Sequence, residues 1–81
     1  MPRAHLMSDH RRFTDGEAVI EVEGATVGAV IAELERRYPG LGDMLTNASS
    51  AGVDGVIHAE PEYLAISADT DVYFVAPLTG G

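Results

Sequence analysis

The chain has no cysteine, which excludes disulfides, thiolate metal ligands and a cysteine nucleophile. Any sulfur chemistry has to use something other than a cysteine side chain. It also has no lysine and no tryptophan, and its only fixed cations are five arginines set against 13 acidic residues, for a net charge of −8. Such a surface repels nucleic-acid phosphates and anionic lipid, so neither is an expected partner. No apolar run approaches the roughly 20 residues needed to span a bilayer. The start, Met1-Pro2-Arg3-Ala4-His5-Leu6-Met7, lacks the apolar core of a signal peptide, so the cytoplasm is the expected compartment.

What is present is a folded composition. Hydrophobic residues make up 46% of 81 residues, enough for one small domain and against disorder. The acids are unevenly placed. From residue 38 onward His58 is the only basic residue, while Asp43, Asp54, Glu60, Glu62, Asp69 and Asp71 are acidic. This half of the chain suits a basic protein surface, and a solvated face that only keeps the chain dissolved fits the charge equally well.

Along the chain, Ala18, Ile20 and Val22 alternate with polar neighbours from Glu17 to Glu23, the period of a strand. Asp15-Gly16 is a turn pair, so Pro2 to Phe13 is expected to supply an earlier strand by hairpin logic. Thr26 reads as an N-cap. Val27, Val30, Ile31, Leu34 and Tyr38 follow at helical spacing, Arg36 and Arg37 sit where the helix dipole favours cations, and Pro39-Gly40 stops the helix. Leu41 to Leu45 adds at most one further turn, and 46–52 reads as loop from its Ser, Asn and Gly content. Short strands are expected at Val56–Ala59 and Tyr63–Ile66. Val72–Ala76 closes the domain, as a strand covered on both sides or flanked by neighbours. Strand, strand, helix and three strands predict an α+β two-layer domain, with the first and last strands paired in parallel.

The end is unusual. An apolar strand runs almost directly into Pro77-Leu78-Thr79-Gly80-Gly81. Residues 1–78 are expected to form the domain, and 79–81 a flexible tail. Three extended residues reach roughly 10 Å, and glycine passes where any Cβ would collide. The tail suits entry into another protein's active site.

Three segments carry a family resemblance: Glu21-Val22-Glu23-Gly24-Ala25-Thr26-Val27-Gly28, Leu34-Glu35-Arg36-Arg37-Tyr38-Pro39-Gly40-Leu41 and Phe74-Val75-Ala76-Pro77-Leu78-Thr79-Gly80-Gly81. Together they resemble the β-grasp, ubiquitin-like sulfur carriers: the small subunit of molybdopterin synthase, the thiamine sulfur carrier and the cysteine-biosynthesis carriers. The resemblance implies a mixed sheet with one main helix packed across it. It implies that a ubiquitin-activating-enzyme-like sulfurtransferase, using ATP and Mg, adenylates the Gly81 carboxylate. Sulfur then gives a thiocarboxylate, delivered to a synthase large subunit or another acceptor enzyme. Gly80 and Thr79 provide clearance, and Phe74, Pro77 and Leu78 lie on or beside the docking surface. The chain itself binds no cofactor and is not an enzyme alone.

The Pro77-Leu78-Thr79 tail leans toward molybdopterin synthesis, which is the expected pathway. The Ser49-Ser50 loop leans toward cysteine or thio-natural-product carriers, and the thiamine pathway is a further alternative. His58-Ala59-Glu60-Pro61 and Ser67-Ala68-Asp69-Thr70-Asp71 stand where the family usually has an Asn-containing turn and an Asp-Gly-Asp-type turn. A protein modifier joined to lysines of targets shares fold and tail. A free-standing enzyme has no support, because Ser8, Asp9 and His10 are merely adjacent and a triad needs neighbours in space. His5, His10 and His58 have no metal-ligand spacing.

Overall fold

Alternation places Ile20 and Val22 inward and Val19 outward, and around this pattern the chain builds a five-stranded sheet. The structure is a computed structural model and describes residues 1–47 and 49–76. The strands are β1 (Arg3–His5), β2 (Val19–Glu21), β3 (Ser50–Val53), β4 (Val56–His58) and β5 (Asp71–Val75). Their spatial order is β2-β1-β5-β3-β4. β1 and β5 pair in parallel as expected, and every other pair is antiparallel. β5 therefore occupies the centre.

The main helix, α2 (Val27–Arg37), has its predicted boundaries. Thr26 Oγ1 accepts the Ala29 N–H at 3.1 Å, and Val27, Val30, Ile31 and Leu34 are buried against the sheet with Val22, Val72 and Phe74. At the last turn Glu33 pairs with both Arg36 and Arg37. Gly40 then takes a φ of 99°, in the left-handed region that favours glycine.

Four expectations change. The β1–β2 connection is no tight hairpin, because a one-turn helix, α1 (Ser8–Arg11), precedes the Asp15-Gly16 turn. Where one turn was expected after Gly40, α3 (Leu41–Asn47) forms, its start capped by Glu35, whose carboxylate accepts the N–H groups of Gly40 (3.0 Å) and Gly42 (2.9 Å). The expected loop contains β3, whose small residues are held by partners on both sides, so tertiary pairing overrides composition.

Tyr63–Ile66 is not a strand in the sheet. It lies along the start of α2, with one bridge between Thr26 and Ala65. Helix starts leave unpaired N–H groups, and this segment satisfies them: Val27 donates to the Leu64 carbonyl and Gly28 to the Glu62 carbonyl, each at 3.0 Å.

Candidate functional site

β5 leads toward the Gly-Gly end, so its two faces define what surrounds the exit. Val72 and Phe74 point into the core, and Phe74 is only 1% exposed. This corrects the expectation that Phe74 contacts a partner: its ring fills the space under α2, and the strand has one covered face, not two. The exposed aromatic is its neighbour Tyr73, at 48%. Composition hid the difference because Val72-Tyr73-Phe74-Val75 is continuously apolar. Pro77, Leu78, Thr79, Gly80 and Gly81 lie outside the described residues.

Tyr73 is part of a row that crosses the whole sheet. The pairings Val19↔His5, His5↔Tyr73, Tyr73↔Gly52 and Gly52↔Ile57 set these residues side by side on the outward face. Val19, Tyr73 and Ile57 are all exposed. The row is held rigidly at its middle. The His5 and Tyr73 rings stack with centroids 4.1 Å apart, and His5 Nε2 lies 2.8 Å from Asp71 Oδ1.

Asp71 also accepts from Arg3 Nε at 2.7 Å and from Arg3 Nη2 at 3.1 Å. These hydrogen bonds, with that of His5, hold the Asp71 carboxyl below the usual carboxylate range, and the same pairing raises Arg3. Asp71 is thus one end of an ion pair. None of this row was singled out by sequence, although its period-two placement was available once the strands were known.

A second arrangement lies near the opposite end of β5, where the strand finishes. His10 is 3% exposed and Ser49 6%, and His10 Nε2 is 3.0 Å from Ser49 Oγ. The Met7 N–H donates to His10 Nδ1 at 3.2 Å. Nδ1 must therefore be the lone-pair nitrogen, Nε2 carries the proton, and His10 donates to Ser49. That is the reverse of a nucleophilic dyad, in which the imidazole accepts the hydroxyl proton. Burial lowers the His10 pKa and keeps the ring neutral, with Asp9 opposing it weakly.

No other described region offers reaction chemistry. An open pocket of about 520 Å³ between α2 and α3 is lined by Gly28, Ile31, Glu35, Gly42 and neighbours, but Glu35 is already committed to backbone N–H groups. Among the described residues no three His, Asp or Glu side chains converge on a metal position, and no helix is long and apolar enough to cross a membrane.

No protein-family model matches the chain, and no curated protein matches it in sequence. Solved structures do. The crystal structure of Mycobacterium tuberculosis CysO, described as an antigen, aligns with a TM-score of 0.85 at 20% identity, covering 96% of this chain and 100% of that one. The crystal structure of the Amycolatopsis orientalis BexX/CysO complex aligns with a TM-score of 0.85 at 19% identity, over the full length of both chains. The chain has the β-grasp fold.

Proposed function

We propose that the chain is a sulfur carrier whose Gly81 carboxylate is adenylated by a partner and converted to a thiocarboxylate. One observation carries the reading: a β-grasp sheet whose central strand, β5, leads directly into Pro77-Leu78-Thr79-Gly80-Gly81. A carboxylate with a pKa near 3.5 is anionic at neutral pH and resists nucleophiles. Transfer of AMP from ATP releases pyrophosphate and gives an acyl adenylate. Sulfide then displaces AMP and leaves sulfur on the terminal carbonyl. ATP and Mg belong to the partner in this scheme, and the carrier contributes its end and the surface that docks it.

The outward row of Val19, Tyr73 and Ile57, on an acidic chain, suits a partner with an apolar patch and basic rim. Likeness to two CysO structures, one a complex with BexX, favours a cysteine-type acceptor pathway. It gives the molybdopterin branch no specific support.

The test is incubation with ATP, Mg, sulfide and the host's adenylating enzyme, followed by mass analysis of the C-terminal peptide. The peptide is needed because replacing oxygen by sulfur nominally matches oxidation of Met1, Met7 or Met44. Sulfur on Gly81 is the expected result. Chains lacking Gly81 should fold as the full chain does and acquire no sulfur. An unmodified terminus with adducts on lysines of other proteins would instead establish a modifier.

A further inference from the structure

His10 and Ser49 are buried polar residues that the carrier chemistry does not use. Their place in the topology is specific. β1 runs parallel to β5 and β3 antiparallel to it, so the end of β1 and the start of β3 flank the end of β5. Ser49 directly precedes Ser50, whose partner is Val75, the last residue of β5. From the other side, the chain leaves β1 and returns His10 through α1 to the same place. The bond thus joins α1, which follows β1, to the residue that leads into β3, and these two strands bracket β5.

We propose that the His10–Ser49 hydrogen bond is a positioning pair that fixes the root of the C-terminal segment for transfer; this rests on the carrier reading. Neither residue touches the reacting carboxylate. The pair acts through Val75 and Ala76. The pair lies next to Ser50↔Val75, the last pairing between β3 and β5, and so bears on where the chain leaves the sheet. Misplacement on the scale of 1 Å is enough to cost two orders of magnitude in reaction rate.

Three variants separate this role from a local one. Ser49→Ala removes the acceptor. His10→Asn keeps an acceptor where Nδ1 meets Met7 but has no group at the Nε2 position. His10→Gln keeps a donor at the Nε2 position and loses the Met7 contact. Cooperative thermal unfolding establishes that each variant folds.

Backbone ¹⁵N order parameters at Val75 and Ala76, with Val72 as internal reference, read the root directly. Adenylation kinetics with the host's enzyme read its use. Ser49→Ala and His10→Asn are expected to lower the order parameter at Val75 from about 0.85 toward 0.6 and leave Val72 unchanged. They should reduce kcat about tenfold with KM within about twofold, while His10→Gln stays near wild type on both measures. Unchanged order at Val75 in Ser49→Ala overturns the positioning role, whatever the chain carries. A loosened root with unaltered kcat, or a pattern in which His10→Asn is spared and His10→Gln is not, also overturns it. A wild-type chain that is not adenylated at all overturns the carrier reading and with it the link to transfer, while the order parameters still report on the root.

Discussion

Replacing Phe74 and Tyr73 in turn separates core from surface on one strand. Phe74 is buried at the sheet's centre, against α2 and the core of Val22, Leu34 and Val72. Truncation to alanine costs about 3–5 kcal/mol at such a position. An 81-residue domain has about 4–12 kcal/mol of stability in total, so Phe74→Ala lies close to unfolding. Phe74→Leu is the informative change, at about 1–1.5 kcal/mol. In urea, with a slope of about 1 kcal/mol per molar for a domain this small, it shifts the midpoint down by about 1 M. Tyr73→Ala loses a cross-strand stack with His5, worth about 0.2–1 kcal/mol, and moves the midpoint less.

Binding to the adenylating partner should show the opposite order. Tyr73→Ala removes a large exposed aromatic from the middle of the outward row, and a loss of tenfold or more, roughly 1.4 kcal/mol, is expected of a central anchor. Phe74→Leu should leave the affinity of the folded protein within about twofold. Equilibrium denaturation and titration calorimetry on the same two samples decide the matter. A Phe74 variant of normal stability and weakened binding would refute the assignment of Phe74 to the core and return the docking role to it.

Gly28→Ala is expected to destabilise, because a Cβ there would lie 2.7 Å from the Glu62 carbonyl oxygen that receives the Gly28 N–H. A loss of about 1–3 kcal/mol should lower the thermal midpoint by about 4–8 °C per kcal/mol, and an unchanged midpoint would show that the 62–64 segment is not held against α2. Stability should also fall in two stages on acidification. His10 has a folded pKa below its ordinary 6.5, so the unfolded chain binds the extra proton first, and the stability of the neutral state declines as pH drops through 6.5 toward the folded value; His10→Gln should flatten that stage. Glu33 is held down to about 2 by Arg36 and Arg37, and Asp71 is held low by Arg3 and His5; their contribution is present above the ordinary carboxylate pKa near 4 and is lost as pH falls toward the folded values. Both carboxylates are partly open to solvent, so the lower stage should shrink in high salt while the His10 stage persists. Urea midpoints measured across the acid range, with and without salt, check both signs.

The parts of the fold visible in the sequence are those where local and tertiary demands coincide. Thr26, the Val27–Leu34 stripe and Gly40 specify α2 because cap, apolar face and stop all belong to one continuous segment. β3 failed to show because Ser50-Ala51-Gly52-Val53 has the composition of a loop, and only its position between β5 and β4 makes it a strand. Tyr63–Ile66 misled in the other direction. Its apolar alternation is real, with Leu64 and Ile66 packed against the core. Its backbone, however, is spent on the open N–H groups of α2, not on the sheet.

The candidate site divides along the same line. That an apolar strand precedes the Gly-Gly end could be read directly, since Val72-Tyr73-Phe74-Val75-Ala76 followed by Pro77-Leu78-Thr79-Gly80-Gly81 is a feature of sequence alone. Which aromatic of that strand faces outward could not, because a run without polar residues carries no period-two signal. It took the burial of Val72 and its pairing with Ala4 to set the phase, and every neighbour of Tyr73 in the row then followed from register. The His10–Ser49 bond was hidden more deeply. It joins residues 39 apart in sequence, across an α1 too short to carry a periodic signal and a β3 with no strand signal of its own. His10 lies on α1 and Ser49 directly precedes β3, and neither element announces itself in the sequence.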